Sequence, residues 1–295
     1  MSLSREQQRE LLRRVSREIV VGGRVELIDE LFASDFVDHD ALPGLSADRE
    51  GFGQTVQLLR AALPDLEVDM RFTLVEGDKV ADYLTSAGTH LGEFMGIAPT
   101  GKRVVVSALE ILRIDESGRV AERWERFGAM QLLQQIGAIP GWEEPPEAPP
   151  VPLVAGGPER SVEENKQLVT SQLGIWNDGD YGLADELFHP ESVTPDAPQF
   201  ARGPEGCKQA ARIFREAFPD FNMTVEDVIA ENDLVLCRFR QTGTHRGDLF
   251  GIPPTGKSVD FQEMALCKIA GGQIVATWFQ TDMLGLMQQI GVAGA

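Results

Sequence analysis

The chain has 295 residues, of which 42% are apolar and 25% charged, a composition that suits two globular domains and excludes the disordered and fibrous classes. Acidic residues outnumber basic ones by 46 to 27, and the resulting net charge of −19 repels nucleic acid and anionic membrane surfaces alike. The first twenty residues carry charges every few positions, and no run reaches the ~18 apolar residues of a membrane span. No leader or membrane helix is therefore expected, and the expected compartment is the cytoplasm.

In chain order, Leu11, Leu12, Val15 and Ile19 form a helical stripe, and a short second helix ends near Phe32. Phe52, Val56, Leu59 and Leu63 mark a third helix, stopped by Pro64. The period then shifts toward strands. Two runs meet at Glu76-Gly77-Asp78, which suits a hairpin turn, and two more at Glu116-Ser117-Gly118. A short helix follows. Helices, then antiparallel strands, then a last helix describe an α+β domain whose helices cover one face of the sheet. A curved sheet wrapped over helices makes a cone, and a cone encloses a pocket.

The same order then repeats. Gly88–Lys102 reads GTHLGEFMGIAPTGK and Gly243–Lys257 reads GTHRGDLFGIPPTGK, identical at ten of fifteen positions with an offset of 155. AALPD (Ala61–Asp65) pairs with EAFPD (Glu216–Asp220), and LLQQIGA (Leu132–Ala138) with LMQQIGV (Leu286–Val292). A period this long makes each copy a domain. Between them residues 140–160 hold seven prolines, which neither a helix nor a sheet accommodates, so the expected division is a domain over 1–139, a linker over 140–160 and a domain over 161–295.

Several motifs have two readings. GIPPTGKS (Gly251–Ser258) satisfies the spacing of a phosphate loop, but a strand-like run follows it and two prolines remove donors, so a turn between strands is expected. Asp38-His39-Asp40 is a dense polar cluster, yet neighbours on a strand point to opposite faces and the histidines have no ligand spacing, so no metal site is expected. Cys207, Cys237 and Cys267 lie thirty apart and read as buried thiols. His90 and His245 recur in Gly-Thr-His, serving either a strand-end hydrogen bond or the pocket. Trp124 and Trp278 recur as core packing or pocket wall, and Phe94, Met95 and Phe250 flank the glycines as a candidate apolar lid.

GTHxGxxxGIxPTGK, a strand ending in GRVAERWE, and LLQQIG, in that order, resemble the SnoaL-like polyketide cyclase and ester cyclase family. The resemblance implies a tandem pair of cone-shaped α+β domains of the nuclear-transport-factor-2-like superfold. Because members pair as homodimers, it also implies an intrachain pseudo-dimer with room for further self-association. It further implies cofactor-independent chemistry, neither metal nor organic group, on a hydrophobic small molecule. The device is a carboxylate in an apolar pocket that takes a proton from carbon and returns it.

Carried over by position, the acid/base carboxylate falls on Glu125, with Glu110 as polar partner and Asp38 as a third pocket group. The second copy has Phe279, Ala265 and Thr194 there, so the first copy is the expected working half. Glu125 replaces the family's usual Asp, and Glu110 a His. Strand alternation puts Arg123, Glu125 and Phe127 on one face, opposite Trp124 and Arg126. Arg123 on that face would hold Glu125 ionised, and a solvated strand carboxylate is the plainer account of Glu125. His39, His90, Trp124, Phe94 and Phe127 are the expected substrate contacts. The expected activity is aldol-type cyclisation or isomerisation of a polyketide-like carbonyl compound. A non-catalytic sequestering protein, an epoxide hydrolase or an epoxide-opening cyclase are the alternatives.

Overall fold

A computed structural model describes residues 3–139, 147–154, 156–157 and 160–292, and in it the chain divides into two units, residues 1–145 and 146–295. Much of the proline-rich stretch lies outside the described residues, and 147–154 carry neither helix nor strand. Among the described residues no helix is long and apolar enough to cross a membrane.

In the first unit Ser4 and Gln7 form a capping box that starts α1 (Arg5–Arg14), which runs on as a wider π-type turn over Val15–Val21. Leu11, Leu12, Val15 and Ile19 bury the expected stripe. After α2 (Ile28–Leu31) come β1 (Phe32–Asp38), α3 (Arg49–Ala62, capped by Asp48), then β2 (Glu67–Glu76), β3 (Lys79–Thr89), β4 (Arg103–Ile114) and β5 (Val120–Phe127). α4 (Ala129–Ile136) closes the unit, and Gly137 ends it at φ 83°, a left-handed angle that glycine takes without strain.

Both hairpins fall where the sequence places them. The sheet order is β1-β5-β4-β3-β2, and β1 is an addition to the expected elements: it runs parallel to β5 on the sheet's edge. Its burial pattern lacks a clean period of two, and its register slips between Phe32 and Val37, so alternation could not reveal it.

The second unit repeats the plan with α5 (Val162–Ser171), α6 (Gly182–Leu187), β6 (Phe188–Val193), α7 (Pro204–Ala217), β7 (Asn222–Glu231), β8 (Leu234–Thr244), β9 (Ser258–Ala270), β10 (Gln273–Thr281) and α8 (Met283–Ile290). Its sheet order is β6-β10-β9-β8-β7. GIPPTGKS leads into β9, a strand, as expected of a turn. Cys207, Cys237 and Cys267 are free thiols; burial pushes Cys207 and Cys267 up to about 12 and Cys237 well above the usual thiol value.

The duplicated motifs turn out to be clips. Asp65 accepts hydrogen bonds from the backbone N–H and hydroxyl of Thr89 at 2.6 and 2.7 Å, and Asp220 does the same for Thr244 at 2.7 Å each. The side-chain amide of Gln135 bonds both backbone groups of Val105 at 2.8 Å, as Gln289 does those of Asp260 at 2.7 and 2.9 Å. A Cβ at Gly92 would stand 2.0 Å from the carbonyl oxygen of Ala61, and one at Gly247 2.0 Å from that of Glu216. Only glycine admits that approach.

One face of each sheet packs on helices. In the first unit Val80, Leu112, Ile114 and Val120 share a core with Leu11, Phe32, Phe52 and Val56. In the second, Phe261 of β9 packs against Phe214 of α7 with ring centroids 6.4 Å apart. We call this helix-covered side the inner face.

Candidate active site

Strand register assembles the site. Asp82 on β3 stands opposite Glu110 on β4, and Glu110 opposite Glu125 on β5, so three acids form one row across neighbouring strands. Arg123, two residues before Glu125, shares their face, and its guanidinium carbon lies 5.2 Å from the centre of the Phe52 ring of α3. That contact fixes the row on the inner face. Asp38 completes the group, because parallel pairing sets it beside Arg123.

Arg123 binds all three remaining carboxylates. Its Nε donates to Glu110 Oε1 at 2.7 Å, Nη1 to Asp38 Oδ2 at 3.1 Å, and Nη2 lies 2.6 Å from Glu125 Oε2. The side chains of Arg123 and Asp38 are 7% and 1% exposed, whereas Glu125 keeps 25%, so Glu125 is the acid that a small molecule could reach. Three carboxylates and one guanidinium leave the cluster with excess negative charge.

Burial pushes Glu110 up, Arg123 pulls it down, and Glu125 and Asp38 push it up again; the net direction is upward. Asp82, fully buried, is pushed up to about 8 by desolvation and then by Glu110, despite a hydrogen bond from Thr73 at 3.3 Å. Its Oδ2 has no hydrogen-bond partner. Burial alone would lower Arg123, but Glu125, Asp38 and Glu110 outweigh it and keep it firmly charged. The point where the carboxylates converge is filled by this guanidinium. Among the described residues no group of His, Cys, Asp and Glu is arranged to hold a metal ion.

Glu125, Glu110 and Asp38 are thus brought together, and Phe127 lies on the same face. Arg123 pairs with Glu125 as strand alternation implies, whereas Asp82 was not among the expected site residues. The signal for Asp82 was an acid in mid-strand between Val80 and Leu84, matched by Cys237 in the second copy.

The other expected contacts lie elsewhere. Trp124 is on the outer face, where the His39 ring stacks on it at 4.5 Å and 3°. His39 Nε2 is 2.6 Å from Glu122 Oε2, and Arg113 Nε donates to the other Glu122 oxygen at 2.6 Å. The sheet therefore separates His39 and Trp124 from the acid row. His90 is 1% exposed in the loop between β3 and β4, where its Nδ1 accepts from the Thr100 backbone at 3.3 Å; His245 and Thr255 repeat this.

Phe94 is the buried base of a two-residue turn whose tip is Met95, 49% exposed, with φ 51°. Phe250 takes Met95's place in the second copy, 56% exposed with φ 54°. A side chain in this left-handed region costs about 1–2 kcal/mol.

Asp40 has a separate task. Its Oδ2 accepts from the backbone N–H of Glu125 at 2.8 Å, and its Oδ1 pairs with Arg126. Asp196 holds the backbone N–H of Phe279 at 3.1 Å in the same way, which identifies Phe279 as the counterpart of Glu125. The inner row of the second unit is accordingly Cys237, Ala265 and Phe279. A crevice of about 590 Å³ lies elsewhere in the first unit, lined by Val25, Ile28, Asp48, Arg49 and Gln57 among others, and none of the acid row lines it.

The SnoaL-like polyketide cyclase family matches residues 10–136 and again 166–290. Aklanonic acid methyl ester cyclase DnrD of Streptomyces peucetius is 29% identical over 128 residues, which is 42% of this chain and 88% of that protein. Among solved structures, TsrD of Streptomyces laurentii is 30% identical with a TM-score of 0.44, covering 46% of this chain and all of its own. IdmH of Streptomyces antibioticus is 27% identical with a TM-score of 0.39, covering 43% of this chain and 99% of its own.

Proposed function

We propose, from the premise that both halves of the chain belong to the SnoaL-like polyketide cyclase family, that the first unit is the working half. Its reaction is cofactor-independent acid/base cyclisation or isomerisation of a hydrophobic, polyketide-like carbonyl compound. One observation carries this reading: an Arg123-centred carboxylate cluster sits inside the first sheet, and its row is Cys237, Ala265 and Phe279 in the second.

Glu125 is the group that meets the substrate. It takes a proton from a carbon flanked by carbonyls, and the freed electron pair attacks a second carbonyl carbon to form the ring bond. The proton then returns from Glu125 to the new alkoxide, so the enzyme is unchanged. Arg123 and Asp38 position Glu125, and Glu110 adjoins it with Asp82, which holds a proton at neutral pH beside it.

Glu125→Gln keeps the shape and removes the base. Aklanonic acid methyl ester is the first substrate to try, with deuterium uptake at the carbon between carbonyls as a second readout. Loss of a general base is expected to slow turnover by roughly 100-fold or more. A variant rate within a few-fold of wild type refutes the assignment.

A second reading is supported by the 2.6 Å contact of Glu125 with Arg123, which makes it an ordinary ion pair in a protein that binds without reacting. Native mass spectrometry separates the two: a binder returns its ligand unchanged, an enzyme a rearranged product.

A further inference from the structure

Gly53 is a buried glycine in the middle of α3, and local geometry does not demand it there. It has no positive φ, and a Cβ added to it would meet only Ile28 Cδ1, at 3.4 Å, an ordinary contact. At Gly51, by contrast, a Cβ would stand 1.8 Å from the Ser46 carbonyl oxygen. A glycine inside a helix weakens it, so Gly53 needs another reason.

The second copy supplies one. α3 and α7 are both 14 residues long, and the fifth residue, Gly53 in the first, is Lys208 in the second. The segment before β1 repeats too: Asp29-Glu30-Leu31-Phe32 matches Asp185-Glu186-Leu187-Phe188. Lys208 Nζ lies 2.6 Å from Asp185 Oδ1, and its side chain is 15% exposed, so the stem is largely covered. In the first unit that side chain is missing. The crevice of about 590 Å³ opens there instead, along Gly53 and bordered by Val25, Ile28, Asp29, Asp48 and Glu50. Arg49 in the same lining pairs with Asp29 at 3.0 Å, so three acids and one arginine leave the crevice with excess negative charge.

We propose that this crevice binds an aliphatic polyamine, a flexible chain of methylenes carrying ammonium groups. One end takes the place that the Lys208 side chain has in the second unit. Its methylenes lie over the Gly53 backbone against Ile28, and its ammonium meets Asp29, the counterpart of Asp185. A further ammonium meets Glu50 across the crevice. Such amines resemble lysine and are charged at neutral pH. The space lies within the ~300–1,000 Å³ of ordinary small-molecule sites, which is more than one lysine stem fills. The net charge of −19 draws polycations toward the chain. None of the Arg123 cluster lines the crevice, so the site stands apart from the reaction assigned to Glu125.

The test titrates spermidine into the full chain by calorimetry at physiological salt, where attraction to scattered surface acids is screened. One saturable site per chain is expected, and hydrogen exchange should place it on residues 25–31 and 49–57. Gly53→Met fills the crevice without changing the charge and should weaken binding roughly tenfold or more. Gly53→Lys, which copies the second unit, should do the same. Both replace a helix-interior glycine with a better helix former, so both should fold. Asp29→Asn, on the surface, should weaken binding about two- to fivefold, the scale of one exposed ion pair. Binding that never saturates, or an affinity unchanged in any of the three variants, overturns the proposal. Neither outcome bears on Glu125→Gln, so the two readings fail separately.

Discussion

Replacing Arg123 by Met keeps most of the side-chain volume and removes the cation paired with Asp38, Glu110 and Glu125. Contacts of 2.6, 2.7 and 3.1 Å bind it to those acids, and it is 7% exposed. A unit charge pair about 4 Å apart in a medium of effective dielectric 20 is worth about 4 kcal/mol. Three attractions are partly offset by repulsion among the carboxylates, and removing one partner of a buried pair costs about 3–5 kcal/mol.

Hydrogen exchange of the β5 amides reads the first unit alone, and at pH 7 that loss should raise their opening equilibrium roughly 150- to 5,000-fold. The sign with pH follows from Glu110, whose upward shift Arg123 opposes. Without Arg123 its folded value rises further above the unfolded one, so the stability tied to its proton is complete at low pH and is lost as pH rises. The penalty should therefore be smaller at pH 5 than at pH 7. A loss below about 1 kcal/mol at pH 7, or an equal loss at both values, refutes the idea of a dry cluster held together by its one guanidinium.

Asp82, pushed up to about 8 from its ordinary 3.8, holds a proton in the folded unit that the unfolded chain releases above about pH 4. Its contribution is thus full below pH 4 and declines as pH rises toward 8, by at most about 1.4 kcal/mol per unit. Asp82→Asn should flatten that decline, so that the variant gains on wild type at pH 8 more than at pH 5 in urea unfolding; parallel pH profiles would contradict it. Gln135→Ala and Gln289→Ala each remove two hydrogen bonds to a strand, and each should destabilise its own unit by about 1–3 kcal/mol in the same assay. A large difference between them would show that the repeated motif does different work in the two copies.

Much of this architecture could be read from the sequence because the duplicated segments are clips with fixed geometry. PD with GTH and QQ with IG hold backbone groups of a neighbouring segment, and the GTHxG glycine allows a close backbone approach. The charged cluster stands where the copies disagree, at Asp82, Glu110, Arg123 and Glu125 against Cys237, Ala265, Thr277 and Phe279. Glu125, Glu110 and Asp38 were placed by the family resemblance, and comparing the copies chose the half. His39 and Trp124 misled because proximity along the chain to Asp38 and Glu125 says nothing of the sheet between them: alternate residues face opposite sides. Asp82 escaped notice because it sits in an unremarkable apolar strand, and only the cross-strand register sets it beside Glu110.

The parallel pairing of β1 with β5 also governs when the cluster can come into being. Asp38 and Arg123 are 85 residues apart, and so are Asp40 and the Glu125 amide that it clips. Loop closure over such a span must precede any reward from the contact. On the ribosome, the earliest strand of the unit waits for the latest, and its carboxylate meets its counter-ion only after the rest of the sheet has emerged. A nascent chain thus acquires its acid centre at the end of assembly, when helices are already available to keep it dry.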